Sequence, residues 1–340
     1  MKDIQLTFNH RQSAHCENGV ISNLFRHHGL DMSEPMAFGI GSGLFFAHIP
    51  FAKVNGIPGT SYRIWPGLIF QRASKLLGVK MYMKQFRNPQ DSMKILDENL
   101  DSGRPVGLVT SVYYLPYLPQ AFRFHFNAHN IVVYGREGDE YLVSDPVMDH
   151  VSRISREDLI RARYAKGIPE PSGKMYYPIQ IPNEIDWKRS ILKGIKRASF
   201  DITQIPLPWF GTNGIRFLAQ RLAVYPEVVG DRKAILYLGN IIRMQEEIGT
   251  GGAGFRFVYA AFSQEAGKLL QYDWLVEASQ KLTETGDHWR AFAFDAGRLC
   301  KKRQADHISY KALSEMLITL SHEEDAIFSE LFRQSKKSLL

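Results

Sequence analysis

Near Pro178 and Pro182 the hydrophobic pattern of this chain changes period, which restricts its fold more than any other feature. Before that point, apolar residues fall into short runs rich in β-branched and aromatic side chains. These are Pro105 to Tyr114, His129 to Tyr134 (HNIVVY) and Tyr141 to Ser144 (YLVS), with Val151 to Ile154 and Lys174 to Ile181 as further candidates. Such runs read as strands, and Arg136-Glu-Gly-Asp139 between two of them reads as a hairpin turn. Helices come first: Val20, Ile21, Leu24 and Phe25 recur at helical spacing in residues 17 to 28, which stop at Gly29. Ile69 to Leu77 and Ser92 to Leu100 read as two more. After the change the helical period dominates, over Trp187 to Ala198, Gly214 to Val224, Arg232 to Ile248, Arg256 to Leu270, Trp274 to Thr285, Trp289 to Arg303 and roughly Ser309 to Phe332.

Helices followed by an antiparallel sheet make an α+β order. The polar stretch around Asn183 predicts one boundary, giving an α+β domain over 1–183 and an all-helical domain over 184–340. A length of 340 residues fits two domains at about 150 residues each. Residues 36 to 51 are apolar, and the alternating Gly39, Gly41 and Gly43 predict a backbone packed closely against a neighbour. The loop Gly249-Thr-Gly-Gly-Ala-Gly254 either lets backbone approach a ligand or is a plain turn. Without a following Lys-Ser/Thr it is a weak phosphate signal.

Composition excludes several classes. With 44% hydrophobic and 23% charged residues the chain is not disordered. The net charge of +7 is spread out, with 22 Lys/Arg against 18 Asp/Glu from Asp186 onward. Nucleic-acid binders concentrate such charge, so no nucleic-acid partner is expected, and a mild preference for acidic partners is. No apolar run is long enough to span a membrane. The opening residues hold no signal-peptide core, so the expected compartment is the reducing cytoplasm. Two cysteines, Cys16 and Cys300, make neither a disulfide framework nor a four-thiolate site, and no His/carboxylate spacing predicts a metal.

Cys16 stands at the mouth of the first helix. Unpaired N–H groups and the helix dipole favour a thiolate there, and a thiolate is the nucleophile of cysteine enzymes. Such enzymes also need a base and a group to orient it. His129 begins one predicted strand and Asp145 follows the next, 16 residues on, in Ser-Asp-Pro. A hairpin would bring the two together. Asp145 would then accept the proton on Nδ1 and leave Nε2 to reach the sulfur. Each residue also has a plainer reading: a cysteine near a helix start is often a small buried side chain, and Asp-Pro is a common turn.

The segment HCENGVISNLFRHHGLDMSEPMAFGIGSGLFF and the later AHNIVVYGREGDEYLVSDP resemble the N-terminal domain of butirosin biosynthesis protein H and its relatives. The second half, above all GTGGAGFRFVYAAFSQEAG, resembles the helical domain that accompanies it. The Cys-His-Asp-Pro order is also similar to bacteriocin-processing C39 cysteine peptidases. These resemblances imply a papain-like (C39-like) cysteine domain followed by an all-helical domain. They also imply an acyltransferase that takes an acyl group from an acyl carrier protein thioester and passes it to an amine. Cys16 then matches the nucleophile, His129 the base and Asp145 the orienting acid. Papain-like peptidases carry a glutamine six residues before the cysteine to bind the oxyanion. Here that position is His10, while Gln12 lies four before. Either side chain, or the backbone amides of Cys16 and Glu17, would serve instead.

Further expectations attach to this reading. Glu34 either supports the residues that make the site or caps a helix, and Gly251 and Gly252 are candidate substrate-binding backbone. The aromatic run Tyr113, Tyr114, Tyr117, Phe122, Phe124 and Phe126 is either core or the wall of an acyl pocket. Lys188, Arg189, Lys193, Lys196 and Arg197 are the best candidates for docking an acidic carrier protein, or simply a solvated helix face. No cofactor of the chain's own is expected, since the substrate arrives on the carrier's phosphopantetheine. A small-molecule amine is the expected second partner, and a homo-oligomer is compatible with the chain. The competing readings are a papain-like peptidase or amidase with water as acceptor, and a binding module without catalysis.

Overall fold

The computed structural model describes residues 3–302 and 308–340. The chain opens with a short strand β1 (Ile4–Gln5), helix α1 (Cys16–His27) and helix α2 (Glu34–Ile40). A hairpin of β2 (Leu44–Val54) and β3 (Ile57–Arg63) and helix α3 (Leu68–Leu76) follow. Next come β4 (Lys80–Lys84), α4 (Pro89–Asp101), β5 (Val106–Thr110), β6 (His129–Glu137), β7 (Glu140–Ser144), β8 (Ser152–Ser155), α5 (Arg156–Arg163) and β9 (Met175–Gln180). The rest is helical: α6 (Trp187–Thr203), α7 (Gly211–Ala223), α8 (Tyr225–Val229), α9 (Asp231–Glu246), α10 (Arg256–Leu270), α11 (Asp273–Cys300) and α12 (Tyr310–Ser338).

Two compact units result, and they are not divided at one point. The first comprises Met1–Ala37 and Leu77–Ile185, and the second Phe38–Leu76 and Asp186–Leu340. The sequence reading placed residues 38–76 in the first domain; the structure groups them with the helices. The reason is direct bonding within the second unit. His48 N–H donates to Trp209 O at 2.9 Å, Ser42 Oγ to Gly194 O at 3.0 Å and Ser190 Oγ to Leu76 O at 2.8 Å. A Cβ on Gly194 would lie 2.7 Å from Gly39 O, which accounts for the glycine-rich path anticipated in this stretch.

The first unit is α+β. Its seven-stranded sheet runs β4-β9-β5-β6-β7-β8, with β1 added to β6, and every pairing is antiparallel. Met93, Leu96 and Leu100 of α4 pack with Leu108, Ile131, Val133, Val143 and Met175 of the sheet to form the core. Asn88 caps α4 by accepting Gln90 N–H at 2.8 Å, and Pro89 opens the helix where its missing N–H costs nothing. Arg163 is fully buried, donating to Ser92 Oγ and, at 3.0 Å, to Gly173 O. Burial lowers its pKa to about 10, so it remains charged at neutral pH.

Several elements depart from the sequence reading. The strand expected over Pro105 to Tyr114 ends at Thr110, and Val112–Tyr114 is a turn of 3-10 helix. The two helices expected either side of Thr285 are one, α11, because Gly286 sits within it against the Phe257 ring. The helix end expected at Arg303 lies outside the described residues.

In the second unit, Arg256 and Glu324 form a fully buried bidentate pair at 2.7 and 2.8 Å. Trp289 Nε1 donates to the same carboxylate at 2.6 Å, and Arg256 also donates to Gly254 O at 2.8 Å. The glycine loop is therefore clamped from below, and Gly254 takes φ 56° against the Tyr62 ring, where no Cβ fits. Removing one partner of a buried pair strands the other charge. Glu324→Ala is expected to cost about 3–5 kcal/mol in urea unfolding. Arg256→Met with Glu324→Leu should recover only part of that, because the Trp289 N–H stays unsatisfied.

Candidate functional site

Everything that positions the site lies in the first unit. The extended N-terminal segment runs along the sheet before turning into α1. Leu6 N–H donates to Tyr134 O at 3.1 Å and Ser13 N–H to Pro146 O at 2.7 Å. His15 is the extended N-cap, and Cys16 is the first residue of α1, buried, at the end where a helix leaves its N–H groups without internal acceptors.

His129 and Asp145 meet through the β6–β7 hairpin. Val132 pairs with Ser144, so Asp145 lies one residue beyond the ladder and His129 three beyond on the other strand. That offset is bridged by the ring's far nitrogen: His129 Nε2 lies 2.7 Å from Asp145 Oδ2. The ring also hydrogen-bonds the Cys16 sulfur, and Nδ1 is the nitrogen left for it. The orientation is the reverse of the one expected from sequence, which assigned Nδ1 to Asp145. Counting residues gives proximity but not the offset in register, and the offset selects the nitrogen.

Asp145 is fully buried and well held. Val147 N–H donates to Oδ1 at 3.2 Å, and Tyr117 OH donates to Oδ2 at 3.0 Å, the same oxygen His129 uses. Burial alone lowers the pKa of His129, but the charges of Asp145 and Cys16 and their hydrogen bonds overcome it and raise it to about 10. The imidazole is therefore protonated at neutral pH. Burial, then the Asp145 charge, holds Tyr117 well above the ordinary tyrosine range, so it stays a donor.

The other predicted residues scatter. Both ring nitrogens of His10 are engaged, Nδ1 with Ser144 Oγ at 2.7 Å and Nε2 with Met148 O at 3.1 Å. His10 therefore braces the turn that carries Asp145 and offers no N–H to an oxyanion at Cys16. Gln12 is exposed. Glu17 is buried, and its charge is felt by Lys174 and Tyr176. Glu34 accepts Ala14 N–H at 2.9 Å and His15 N–H at 2.7 Å, so it fixes the two residues that lead into α1. Burial raises its pKa despite those two donors. Gly251 and Gly252 belong to the second unit, where Gly252 N–H donates to Thr250 Oγ1 at 3.1 Å. Among the described residues, no group of three or more His, Cys, Asp or Glu side chains is placed to hold a metal ion.

Two residues escaped the sequence reading. Tyr117 was grouped with the aromatic run, of which Tyr114, Tyr117, Phe124 and Phe126 pack on the core while Tyr113 and Phe122 are exposed. Asn130 follows His129 directly and lies 4.0 Å, through Nδ2, from Cys16 Sγ. The signal available for it was a lone amide inside the apolar run HNIVVY.

Comparison with known proteins finds two family matches. The family described as "Butirosin biosynthesis protein H, N-terminal" matches residues 15–146, and "Domain of unknown function (DUF4872)" matches residues 157–331. Among solved structures, a putative C39-like peptidase from Bacillus anthracis is similar at 15% identity and a TM-score of 0.38, over 53% of this chain and 98% of that one. No curated protein matches the chain.

The histidine pKa has a consequence for stability. A folded value of about 10 against 6.5 unfolded gives a contribution that is complete below pH 6.5 and is lost as pH rises through 10. Because that value rests partly on the Cys16 charge, a proton given up by the thiol on folding offsets the one the ring keeps. The Tm is therefore expected to fall at the alkaline end of that window, and Asp145→Asn should flatten the slope there in a pH series of thermal melts.

Proposed function

The chain belongs to the family that joins a butirosin biosynthesis protein H N-terminal domain to the domain of unknown function DUF4872, and we propose that it is a cysteine-dependent acyltransferase of a secondary-metabolite pathway. The observation behind this reading is the buried His129–Asp145 bond of 2.7 Å, formed where the ring also reaches the sulfur at the start of α1. The donor would be the phosphopantetheine thioester of an acyl carrier protein and the acceptor a small-molecule amine. The chain needs no cofactor of its own for this chemistry, because a thioester is already activated.

Thiolate exchange onto an acyl carrier thioester is close to isoenergetic. The Cys16 thiolate attacks the carbonyl, and the tetrahedral intermediate expels the pantetheine sulfur, which takes its proton from the His129 imidazolium. The now neutral imidazole accepts a proton from the amine as it attacks the acyl-cysteine. The bond to Cys16 Sγ breaks, the amide leaves, and the thiolate–imidazolium pair is restored. Asp145 and Tyr117 hold the ring through both steps. Backbone N–H groups at the start of α1 suit the oxyanion, since the dipole there favours negative charge.

Among the described residues no helix is long and apolar enough to cross a membrane. Neither cysteine is in a disulfide, which suits thiol chemistry in a reducing compartment. On the exposed side of α6, Lys188 and Arg189 are candidates for meeting an acidic carrier, while Arg197 is already bonded to Asp201 at 2.9 Å.

Intact mass spectrometry after mixing with a panel of acyl-pantetheine thioesters tests the reading. An acyl increment on the wild type, lost in Cys16→Ala and discharged by added amine, is the expected result. His129→Ala should slow discharge more than Asp145→Asn does. Release of free acid at the same rate with and without amine would point to a hydrolase, and an increment that persists in Cys16→Ala would move the chemistry elsewhere.

A further inference from the structure

Around the sulfur, one group remains without a role in the scheme above. The Asn130 side chain is buried, on the residue after His129. Although successive side chains on a strand leave on opposite faces, at the end of β6 both the His129 ring and the Asn130 amide reach the Cys16 sulfur. The Asn130 amide is tightly constrained. Its Oδ1 accepts the Tyr176 hydroxyl at 2.7 Å. One N–H of Nδ2 goes to Ala128 O at 3.0 Å, and the other is directed at Cys16 Sγ at 4.0 Å. Tyr176 is itself buried on β9. Rotating the amide by half a turn would set Oδ1 against Ala128 O and lose that bond, so the present orientation, N–H toward sulfur, is the one its neighbours enforce.

We propose that the Asn130 amide, locked by Tyr176, is a second donor to the Cys16 sulfur, acting beside His129 to keep it anionic and to receive it as the leaving group when the acyl-cysteine breaks down. The inference rests on Cys16 being the nucleophile and on nothing about donor or acceptor. Its chemical logic is simple. A hydrogen bond to a charged acceptor is stronger than one to a neutral acceptor, and in a buried site it is not replaced by water. The donor therefore favours thiolate over both thiol and thioester. Tyr176 acts only through Asn130 and is a positioning residue.

Other charges also face this sulfur and set the background. His129, backed by Asp145, reaches it from β6; Glu17 is its neighbour on α1; and Lys174, just before β9, senses Glu17. Glu34 holds the backbone of Ala14 and His15 without a bond to the sulfur. The Glu17 carboxylate opposes the thiolate and Lys174 partly offsets it. None of these is altered by the substitutions below.

The test is the pH dependence of iodoacetamide alkylation at Cys16, read by mass spectrometry with Cys16→Ala giving the background from Cys300. Asn130→Ala is expected to move the alkylation midpoint up by about one pH unit, which is a roughly tenfold slower reaction on the acid side. Asn130→Asp keeps the shape but turns an oxygen toward sulfur, so it should move the midpoint further. Tyr176→Phe keeps the ring, frees the amide and should give a smaller shift in the same direction. Asn130→Asp and Tyr176→Phe carry the test if the alanine variant does not fold. Midpoints equal to wild type in the folded variants overturn the proposal. The readout uses no thioester, so failure of every acyl donor would refute the acyltransferase reading while leaving this result to stand or fall alone.

Discussion

The antiparallel pairing of β6 with β7, and the residue by which it is out of step, is the constraint on which the site depends. The two-residue turn at Gly138 and Asp139 fixes the register, and the register carries His129 past the end of the ladder toward Asp145. At the far end of the same hairpin, Tyr141 OH and Arg156 converge on Asp97, at 2.8 and 2.9 Å, while Arg136 donates to Asp101 at 2.6 Å. Both ends of the hairpin are thus tied to neighbouring elements. A slip of one residue would turn every side chain of β6 to the opposite face and would break both sets of bonds at once.

Delivery of the sulfur is a separate problem, solved by the N-terminal segment. It is held to β6 through β1, to Pro146 through Ser13 and to the Asp145 turn through His10. Glu34 then grips the two residues ahead of Cys16 from the start of α2. Histidine and glutamate residues that a motif comparison would enlist for binding are here used to hold the segment leading to Cys16.

Buried charge appears in both units with different purposes. Arg256 and Glu324 neutralise each other and serve the glycine loop, so their bond is structural. His129 instead keeps its proton because Asp145 stands behind it and the sulfur in front of it, and such a proton can be given away and taken back. Burial makes each charge expensive unless it is matched; at His129 the match includes a group able to accept the proton.

The residues of the sequence determined more of this site than of the fold around it. Cys16 at a helix start, and His129 and Asp145 at the ends of a hairpin, were legible because each depends only on local periodicity and turn chemistry. The α+β order and the helical C-terminal region were legible for the same reason. Tertiary structure alone decided which nitrogen of His129 faces Asp145, that residues 38–76 join the helical unit, and that Asn130, Tyr117 and Tyr176 converge on the Cys16, His129 and Asp145 cluster. Those outcomes rest on register offsets and on contacts between segments 28 to 114 residues apart. Spacing along the chain carries no information about such contacts until the backbone has closed the loops between them.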